Sequence, residues 1–468
     1  MKARPIPRSA PSEAVRQLTA RLRRQIEAGH WRQGARLPSL RQVAAQSGLS
    51  CYGVLAAYQE LVGLGLLEAR HGSGFYLSGP ARPAPPRYAP SLERLLDTAL
   101  LIRGLVEPSA LLKCGSGSLP REWLADLGLP RHVRSVAAQP GAHLHDYGSA
   151  QGYPPLREAL QRRLERRGIA CAPDQIVLTN GISHGLELVV RALCRPGDLV
   201  FVERPAYYNL FGLLHLSGLR ALDVERRADG PDLEALEALL RRGERPRLFI
   251  LQTQLHNPTG TSIAPPVARR ILELAEQYDF LIAEDDAYAD LAEAQDLRLA
   301  ALDGLRRVIY LSGFTKTLSA SLRVGYTAAA APITEVLGRV KLLTSIASSE
   351  FSERVVYRVL TEGYDRFTAL LRQRLQAAQE AQQGEFQQAG WQLFPGARRG
   401  MFAWARHPDW ADSVPLAKAA AAAGFWLAPG GAFDLEHRPS PWLRFNVAYR
   451  SPALLAWLKA LPPAVGKK

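Results

Sequence analysis

The chain has 468 residues and a formal net charge of +14, which allows a small domain beside a large α/β unit. No apolar run approaches a membrane span and the N-terminus lacks a signal-peptide core, so we expect no membrane protein and no secreted one. Four cysteines with neither disulfide-framework nor metal-ligand spacing predict thiols of a reducing cytoplasm, and no metal site. They are Cys51, Cys114, Cys171 and Cys194.

The first 80 residues hold a disproportionate share of the positive charge. They contain 11 Lys and Arg against 4 Asp and Glu, and 11 − 4 gives +7, half of the chain's +14. Such a concentrated excess suits the neutralisation of nucleic-acid phosphates. An Arg-rich genome is the plain alternative, so the charge supports DNA binding without establishing it.

The N-terminal segment predicts three helices followed by a hairpin. Apolar residues recur at helical spacing over residues 15–26. Ser39 can cap a second helix, and Ser50 can cap a third. Residues 65–77 are typical of a two-stranded hairpin with a glycine-rich turn. This order of elements is that of a winged helix-turn-helix.

The sequence of this segment resembles that of the GntR superfamily of DNA-binding regulators. It contains an L-P-S-x-R motif at 37–41 and a G-S-G motif at 72–74, in the predicted wing. The resemblance implies that residues 50–54 face the major groove. Relatives often carry Arg-Asn-Thr where this chain has residues 51–53, so its operator cannot be copied from them. A small helical protein-interaction domain is the alternative. The candidate DNA contacts are Arg36, Ser39, Arg41, Ser50, Cys51, Tyr52, Gly53, and, at the wing tip, His71 and Gly72.

A proline-rich stretch separates this segment from the rest. Five prolines in residues 79–90 predict a stiff, extended linker, and residues 91–106 predict a short amphipathic helix that docks on the C-terminal part of the chain. We therefore predict a DNA-binding domain at 12–79, a linker with docking helix at 80–108, and a large domain at 109–468.

The large domain predicts a mostly parallel sheet with helices on both faces, because strand-like runs alternate with helical stretches. A smaller C-terminal part begins near residue 350 with a long helical run at 351–389. The predicted strands are 175–179, 199–203, 248–251, 280–283 and 308–311.

Lys316 lies after the last of these strands in a turn of small and hydroxyl residues, and Arg323 comes seven residues later. Burial would lower the pKa of the Lys amine, which could then form a Schiff base with an aldehyde. The Arg and the hydroxyl of Thr315 could hold a phosphate. The pattern suits a pyridoxal-phosphate (PLP) protein.

Two upstream turns supply partners for such a cofactor. Asp285, at a strand end, could pair with a protonated pyridine nitrogen, since a buried carboxylate is costly unless paired. Tyr288 and Asn257 could reach the ring hydroxyl. Taken alone, Asp285 is more readily interpreted as an ordinary capping Asp, and Asn257 as an ordinary turn Asn.

In this order, residues from about 110 to the C-terminus resemble the fold-type I aminotransferases, the aspartate aminotransferase superfamily. The resemblance implies a Schiff base at Lys316, Asp285 at the pyridine nitrogen, and a bidentate grip on an amino acid's α-carboxylate by Arg444. The other implied cofactor residues are Asn257 and Tyr288 at the ring oxygen, Tyr207 stacked on the ring, and Arg323, Ser183, Ile182, Thr315 and the partner subunit's Tyr147 at the phosphate.

Two positions depart from this pattern. Relatives often have a hydroxyl three residues before the Lys, where this chain has Gly313. Ile182 stands where a small or hydroxyl residue is common, although its backbone N–H can still serve a phosphate at a helix N-terminus.

A GntR-type winged helix fused to an aminotransferase-like domain is the layout of the MocR regulators. The resemblance implies a homodimeric transcription factor that binds a double-stranded DNA operator. A small amine or amino acid would form an external aldimine, displace Lys316, and shift the DNA modules. Two alternatives stay open: a regulator that answers to PLP itself, and a working aminotransferase with an appended DNA-binding domain.

Overall fold

The computed structural model divides the chain into two compact units, Met1–Leu92 and Glu93–Lys468. The predicted linker and docking helix at 80–108, and the predicted wing tip at His71 and Gly72, lie outside the described residues. The domain boundaries therefore stay predictions. The structure describes residues 13–32, 34–70, 73–78, 110–140, 144–397 and 399–461.

The N-terminal unit is a winged helix-turn-helix. Its three helices bury one apolar face each around Val54, Tyr58 and Leu61. The Tyr58 hydroxyl donates to the Pro38 carbonyl at 2.9 Å, which ties the third helix to the start of the second. The elements are α1 (Glu13–Glu27), α2 (Leu40–Ser47), α3 (Cys51–Gly63) and the antiparallel pair β1 (Leu67–Arg70) and β2 (Gly74–Leu77).

Two serine caps set the turn between α2 and α3. The Ser39 hydroxyl accepts from the Gln42 N–H while the Gln42 side chain accepts from the Ser39 N–H, a complete capping box. Gly48 ends α2 in the left-handed region at φ 69°. Ser50 then accepts from the Gly53 N–H and begins α3. Both predicted caps are confirmed.

The C-terminal unit is built on an eight-stranded sheet, in the order β3-β10-β9-β8-β7-β4-β5-β6. The five central strands run parallel, and β10 and β6 run antiparallel to their neighbours. Apolar clusters cover both faces, as the alternation of strands and helices predicts. The strands are β3 (Ile176–Thr179), β4 (Leu199–Arg204), β5 (Arg220–Arg227), β6 (Gly230–Pro231), β7 (Leu248–Leu251), β8 (Leu281–Asp286), β9 (Val308–Gly313) and β10 (Gly325–Ala328).

Helices surround this sheet, and none of those described is long and apolar enough to cross a membrane. Those before the C-terminal part are α4 (Arg121–Ala125), α5 (Leu129–Ala137), α6 (Pro154–Glu165), α7 (Ile182–Leu193), α8 (Tyr208–Leu216), α9 (Leu233–Arg241), α10 (Pro265–Gln277), α11 (Leu299–Asp303) and α12 (Ala331–Ser345).

The C-terminal part adds a four-stranded antiparallel sheet, in the order β11-β12-β14-β13. The prediction of one helical run at 351–389 was wrong: two helices form, and Gly363 at φ 93° separates them. The elements are α13 (Glu350–Thr361), α14 (Tyr364–Gln388), β11 (Gln392–Leu393), β12 (Phe402–Arg406), α15 (Val414–Ala422), β13 (Ala428–Pro429), β14 (Trp442–Asn446) and α16 (Pro452–Lys459).

Candidate functional site

A cavity of about 230 Å³ opens where the central strands β7, β8 and β9 end. This is the edge at which open α/β sheets bind ligands. Among the predicted cofactor residues only Tyr147 lies away from its wall, and Arg444 also reaches it. The predicted residues on the wall are Ile182, Ser183, Tyr207, Asn257, Asp285, Tyr288, Thr315, Lys316, Arg323 and Arg444.

A larger cavity of about 700 Å³ lies beside it, between α7 and α8. The two share Ser183, Leu186 and Tyr207, but the larger one is lined mainly by apolar side chains and contains no lysine. The convergent amine, carboxylate, amide and guanidinium groups therefore identify the smaller cavity as the chemical site.

Lys316 lies just past the end of β9, and burial in the pocket lowers the pKa of its amine to about 8. The nearby guanidinium groups of Arg444 and Arg323 contribute to this lowering of the pKa, whereas the carboxylate of Asp285 opposes it. A larger fraction of the amine is thus neutral near pH 8 than in an exposed lysine. A neutral amine is the form that attacks an aldehyde.

Asp285 is buried near the end of β8 and has one oxygen without a hydrogen bond among the described residues. Its Oδ2 accepts from Gln252 Nε2 at 3.2 Å, whereas Oδ1 has no such donor. Burial, and then the adjacent charge of Asp286, raises the pKa of Asp285 to about 7. A buried carboxylate oxygen without a donor is costly unless a cationic ligand supplies one.

Gln252 connects Asp285 to Asn257, and sequence reasoning missed it. Its Oε1 accepts from the Asn257 N–H at 2.8 Å, while its Nε2 serves Asp285. The signal was present, because Gln252 comes directly after the buried strand β7. A polar residue at the carboxyl end of a central parallel strand is a candidate for a site.

Arg444 is completely buried on β14, and its guanidinium is held in a fixed orientation. Its Nε and Nη2 donate to the Gly115 carbonyl at 3.0 and 2.7 Å, and its Nη1 donates to Asn257 Oδ1 at 2.7 Å. The guanidinium carbon lies 4.9 Å from the ring centres of both Phe402 and Phe433. Because Asn257 Oδ1 already accepts from Arg444, the Asn257 side chain can offer its amide nitrogen as a hydrogen-bond donor to a ligand.

The opposite end of the cavity lies at the N-terminus of α7, where free N–H groups attract anions. Gly181 precedes this helix at φ 81°, and a methyl group there would lie 2.8 Å from Arg323 Nη2. Arg323 itself has φ 52°, an uncommon value for a residue with a side chain, and donates to the Asn180 carbonyl at 3.1 Å. Glycine at 181 thus lets the guanidinium approach the helix start.

The two departures from the family pattern are adjacent in space. A methyl group at Gly313 would lie 3.4 Å from Ile182 Cγ1 and 3.0 Å from the Gly325 Cα. The branched side chain of Ile182 thus lies against the place where a residue-313 side chain would begin. At this end of the cavity the described hydroxyl groups are those of Ser183 and Thr315.

Two tyrosines complete the cavity wall. The Tyr207 hydroxyl accepts from Asn209 Nδ2 at 2.8 Å, and the Tyr288 ring meets Phe402 edge-on at 5.3 Å. Burial raises the pKa of both Tyr207 and Tyr288, so both act as neutral phenols. Tyr147, by contrast, is 80% exposed and is not part of the cavity wall.

The N-terminal unit presents the remaining predicted residues. Arg41 is exposed on α2, and Cys51 and Tyr52 are exposed on the first turn of α3. Arg36 packs against the wing, where a methyl group at Gly74 would lie 3.2 Å from its Nε. A methyl group at Gly53 would lie 3.5 Å from Val15 Cγ2, so this position faces α1. The side chains of Ser39 and Ser50 serve as helix caps.

Two separate segments of the chain match known families. Residues 115–458 match aminotransferase class I and II, and residues 14–77 match the bacterial regulatory proteins of the gntR family. The chain belongs to the class of transcriptional regulators that join a GntR helix-turn-helix to an aminotransferase-like domain of a PLP-dependent family. Within that class it is a MocR-type regulator.

Individual relatives agree with this assignment. The chain is 31% identical to the uncharacterized HTH-type transcriptional regulator YdcR of Escherichia coli, over 93% of this chain and 95% of that protein. It is 30% identical to the probable rhizopine catabolism regulatory protein MocR of Rhizobium meliloti, over 76% and 73%. Among solved structures, the α-aminoadipate aminotransferase LysN of Thermus thermophilus superposes with a TM-score of 0.71 at 26% identity, over 80% of this chain and 95% of LysN.

Proposed function

We propose that this regulator binds PLP at Lys316, detects a small amine or amino acid there, and changes its affinity for a DNA operator in response. The effector would take the place of Lys316 at the cofactor aldehyde. The observation that carries the proposal is the convergence of a low-pKa lysine, an unpaired buried carboxylate oxygen and a buried arginine on one cavity.

The residues present fit PLP. Asp285 Oδ1 needs the donor that a protonated pyridine nitrogen offers, and the Asn257 amide and the Tyr288 hydroxyl suit the ring oxygen. The helix start at Ile182 and the guanidinium of Arg323 suit a phosphate. When bound, PLP supplies an aldehyde that condenses with primary amines and a ring that withdraws electrons.

The space above Gly117 supports an amino acid as the effector. A methyl group at Gly117 would lie 3.6 Å from Lys316 Nζ and 3.8 Å from both terminal nitrogens of Arg444. The amine and the guanidinium thus border the same small space beside Gly117. An α-amino acid carries an amine and a carboxylate on one carbon, so it has one group for each of them. The LysN structure, whose overall fold is similar, was solved with N-(5'-phosphopyridoxyl)-L-leucine.

Lys316 has a second role in this proposal. Once its amine is displaced by the effector, it lies beside the bound ligand, and the pKa lowered to about 8 keeps a larger fraction of it neutral than in an exposed lysine. It can therefore take a proton from the effector's α-carbon, and slow half-reactions are expected. Efficient turnover would destroy the ligand that a sensor has to report.

We also propose a homodimer formed through the C-terminal unit, with Tyr147 completing the phosphate site of the partner subunit. Large apolar side chains are exposed at two places in the C-terminal unit. Leu144 lies close to Tyr147 in the chain, and Leu342, Leu343 and Ile346 lie at the end of α12. Exposed apolar clusters of this kind mark interaction surfaces. Tyr147→Phe should weaken PLP binding by the dimer several-fold, as expected for one hydrogen bond.

The test combines three readings on the full-length chain across a panel of amino acids and simple amines: the cofactor absorbance spectrum, operator affinity, and keto-acid formation. The proposal expects one ligand that changes both the absorbance spectrum and the operator affinity while forming little keto acid. Arg444→Met should abolish the response to amino acids while leaving the response to a carboxylate-free amine.

Two other outcomes would replace the proposal. Operator affinity that responds to PLP alone, with no further response to any amine, would indicate a cofactor-responsive regulator. Turnover of about 1 s⁻¹ or more with unchanged operator affinity would indicate an aminotransferase, an interpretation favoured by the complete set of residues around the cavity.

A further inference from the structure

The helix expected to enter the DNA major groove is almost uncharged. In the sequence of α3, Cys51–Gly63, there is no Lys, Arg, Asn or Asp, and the single charged residue is Glu60. Glu60 accepts a hydrogen bond from the Thr19 hydroxyl of α1 at 3.2 Å, so it is engaged within the unit. Almost any base contact by α3 must therefore come from uncharged side chains.

The outward face of α3 begins with an exposed aromatic ring. Tyr52 is 81% exposed on the first turn, directly after the capped start of the helix. Leu55, three positions later, is half-buried on the same side, and Gln59 is exposed one turn further, whereas Ala56 packs against the core of the unit. The leading two turns thus present an aromatic and aliphatic surface.

Positive charge lies on the elements beside this surface. Arg41 is exposed on α2, and Arg70 at the end of β1 places its guanidinium 4.4 Å over the Tyr76 ring. The surrounding 80 residues carry a net charge of 11 − 4 = +7. Charge complementarity with phosphates therefore favours DNA as the occupant, with flanking arginines on the backbone and α3 against the bases.

We infer that α3 reads thymine, through contacts of Tyr52 and Leu55 with the 5-methyl groups that thymine exposes in the major groove. The inference rests on the proposed binding of double-stranded DNA by this unit. Guanine and adenine are read by bidentate donors from Arg, Lys, Asn or Gln, which are absent from the first two turns of α3. Thymine is the base that offers an apolar group, and the apolar surface matches it.

The test begins with the full-length protein and a randomised duplex library, from which bound sequences are selected. The selected sites should contain thymine at fixed positions in each half-site. Replacing each such thymine by uracil removes one methyl group and should weaken binding about fourfold, the free energy of burying one carbon. Uracil at positions outside the half-sites should change nothing.

Variants at Tyr52 then assign the contact. Tyr52→Ala should weaken binding to the thymine duplex and make it insensitive to uracil at one position, whereas Tyr52→Phe should keep the methyl preference. Tyr52 is too exposed for either change to disturb the fold. Gln59→Ala, on the next turn of the same face, is the matched control and should leave the uracil effect intact.

The outcomes separate this inference from the proposed function. Sequence-selective binding that is indifferent to uracil, or to Tyr52→Ala, would overturn thymine reading and leave the regulator intact. Absence of salt-dependent DNA binding by the full chain would overturn both. If Tyr52→Ala abolished capture of a protein but not of DNA, the α3 surface would be a protein-docking face and the inference would also fail.

Discussion

The cavity around Lys316 and the outward face of α3 differ in how their residues are held. In the cavity, Arg444 and Asn257 are buried and bound to neighbouring groups at 2.7–3.0 Å. On α3, Tyr52 projects from a capped helix into solvent. The first site fixes each functional group by its neighbours, whereas the second fixes only the backbone and leaves the side chain unconstrained.

This difference bears on how each site can change. Replacing one member of the buried set leaves a donor or acceptor without its hydrogen bond, at a cost of about 1–3 kcal/mol. Exchanging an exposed residue on α3 changes stability by about 0.5 kcal/mol or less. A change at residues 51–53, where this chain departs from the common GntR sequence, is therefore expected to cost less stability than a change within the buried set of the cavity.

The largest expected effect is the loss of covalent cofactor attachment in Lys316→Ala. No PLP should remain bound to the protein after borohydride reduction, as measured by intact mass, because the attacking amine is gone. Lys341→Met is the matched control: burial also lowers the pKa of Lys341 to about 8, but its amine donates to Ser348 away from the cavity.

The control makes this prediction specific to position. Retained attachment in Lys341→Met and none in Lys316→Ala would show that placement in the cavity, and not a low pKa, selects the lysine. Reducible attachment that persists in Lys316→Ala at the same stoichiometry would contradict the assignment.

The next effect concerns Asp285. Asp285→Asn should weaken PLP binding about 10- to 100-fold, since the charged hydrogen bond to the pyridine nitrogen is lost. The apo protein should be at least as stable at pH 8. The folded-state pKa of Asp285 is raised to about 7, so the carboxylate lowers stability as pH rises from about 4 to 7, and the amide removes that penalty.

Asp303→Asn provides the contrast for Asp285. Asp303 is also buried, but its carboxylate accepts from the N–H groups of Arg307 and Val308 and lies outside the cavity. This variant should lower the thermal unfolding midpoint and leave PLP affinity unchanged. Absorbance titration and calorimetry on both variants would distinguish the two kinds of buried carboxylate, and similar PLP affinities in both would refute the role of Asp285.

The sequence predicted the central parallel strands and the cavity residues because both depend on local signals. Buried parallel strands are continuous apolar runs, as in β7 and β9, and ligand-binding residues lie just past their carboxyl ends. The strand β5, next to the short edge strand β6, was missed because its sequence, RALDVERR, is rich in charged residues. The antiparallel β10 was missed because it is four residues long and contains glycine.

Other features depend on tertiary contacts and could not be read from the chain. The clamp of Gly115 on Arg444 joins residues 329 positions apart, and no local pattern marks a carbonyl as an acceptor for a distant guanidinium. The orientation of Gly53 toward Val15 results from the packing of α3 on α1. Both features decide which atoms are available, so they refine the predicted sites without changing the predicted fold.

The pH dependence of PLP capture tests the protonation state of Lys316 in the cavity. The rate of PLP capture by the apo protein should rise about tenfold per pH unit and level off above about pH 8, where the Lys316 amine becomes neutral. Arg444→Met removes a positive charge that lowers this pKa, so the levelling should move to higher pH. Arg406→Met, on the neighbouring strand β12, should leave the profile unchanged when both are followed by stopped-flow absorbance.

The smallest expected effect concerns the exposed residues of the N-terminal unit. Arg41→Ala should make the slope of log K against log salt less steep by about 0.9, the value for one neutralised phosphate, with several-fold weaker binding at low salt. The loss should be uniform across sequences, because a phosphate contact carries no base information. Arg23→Ala is the control, since that guanidinium pairs with Glu27 at 2.8 Å on α1.

An unchanged slope for Arg41→Ala would show that Arg41 contacts no phosphate and would argue against α2 as part of the DNA interface. Sequence-dependent losses would instead assign Arg41 to a base, and the separation of roles between the flanking arginines and α3 would break down.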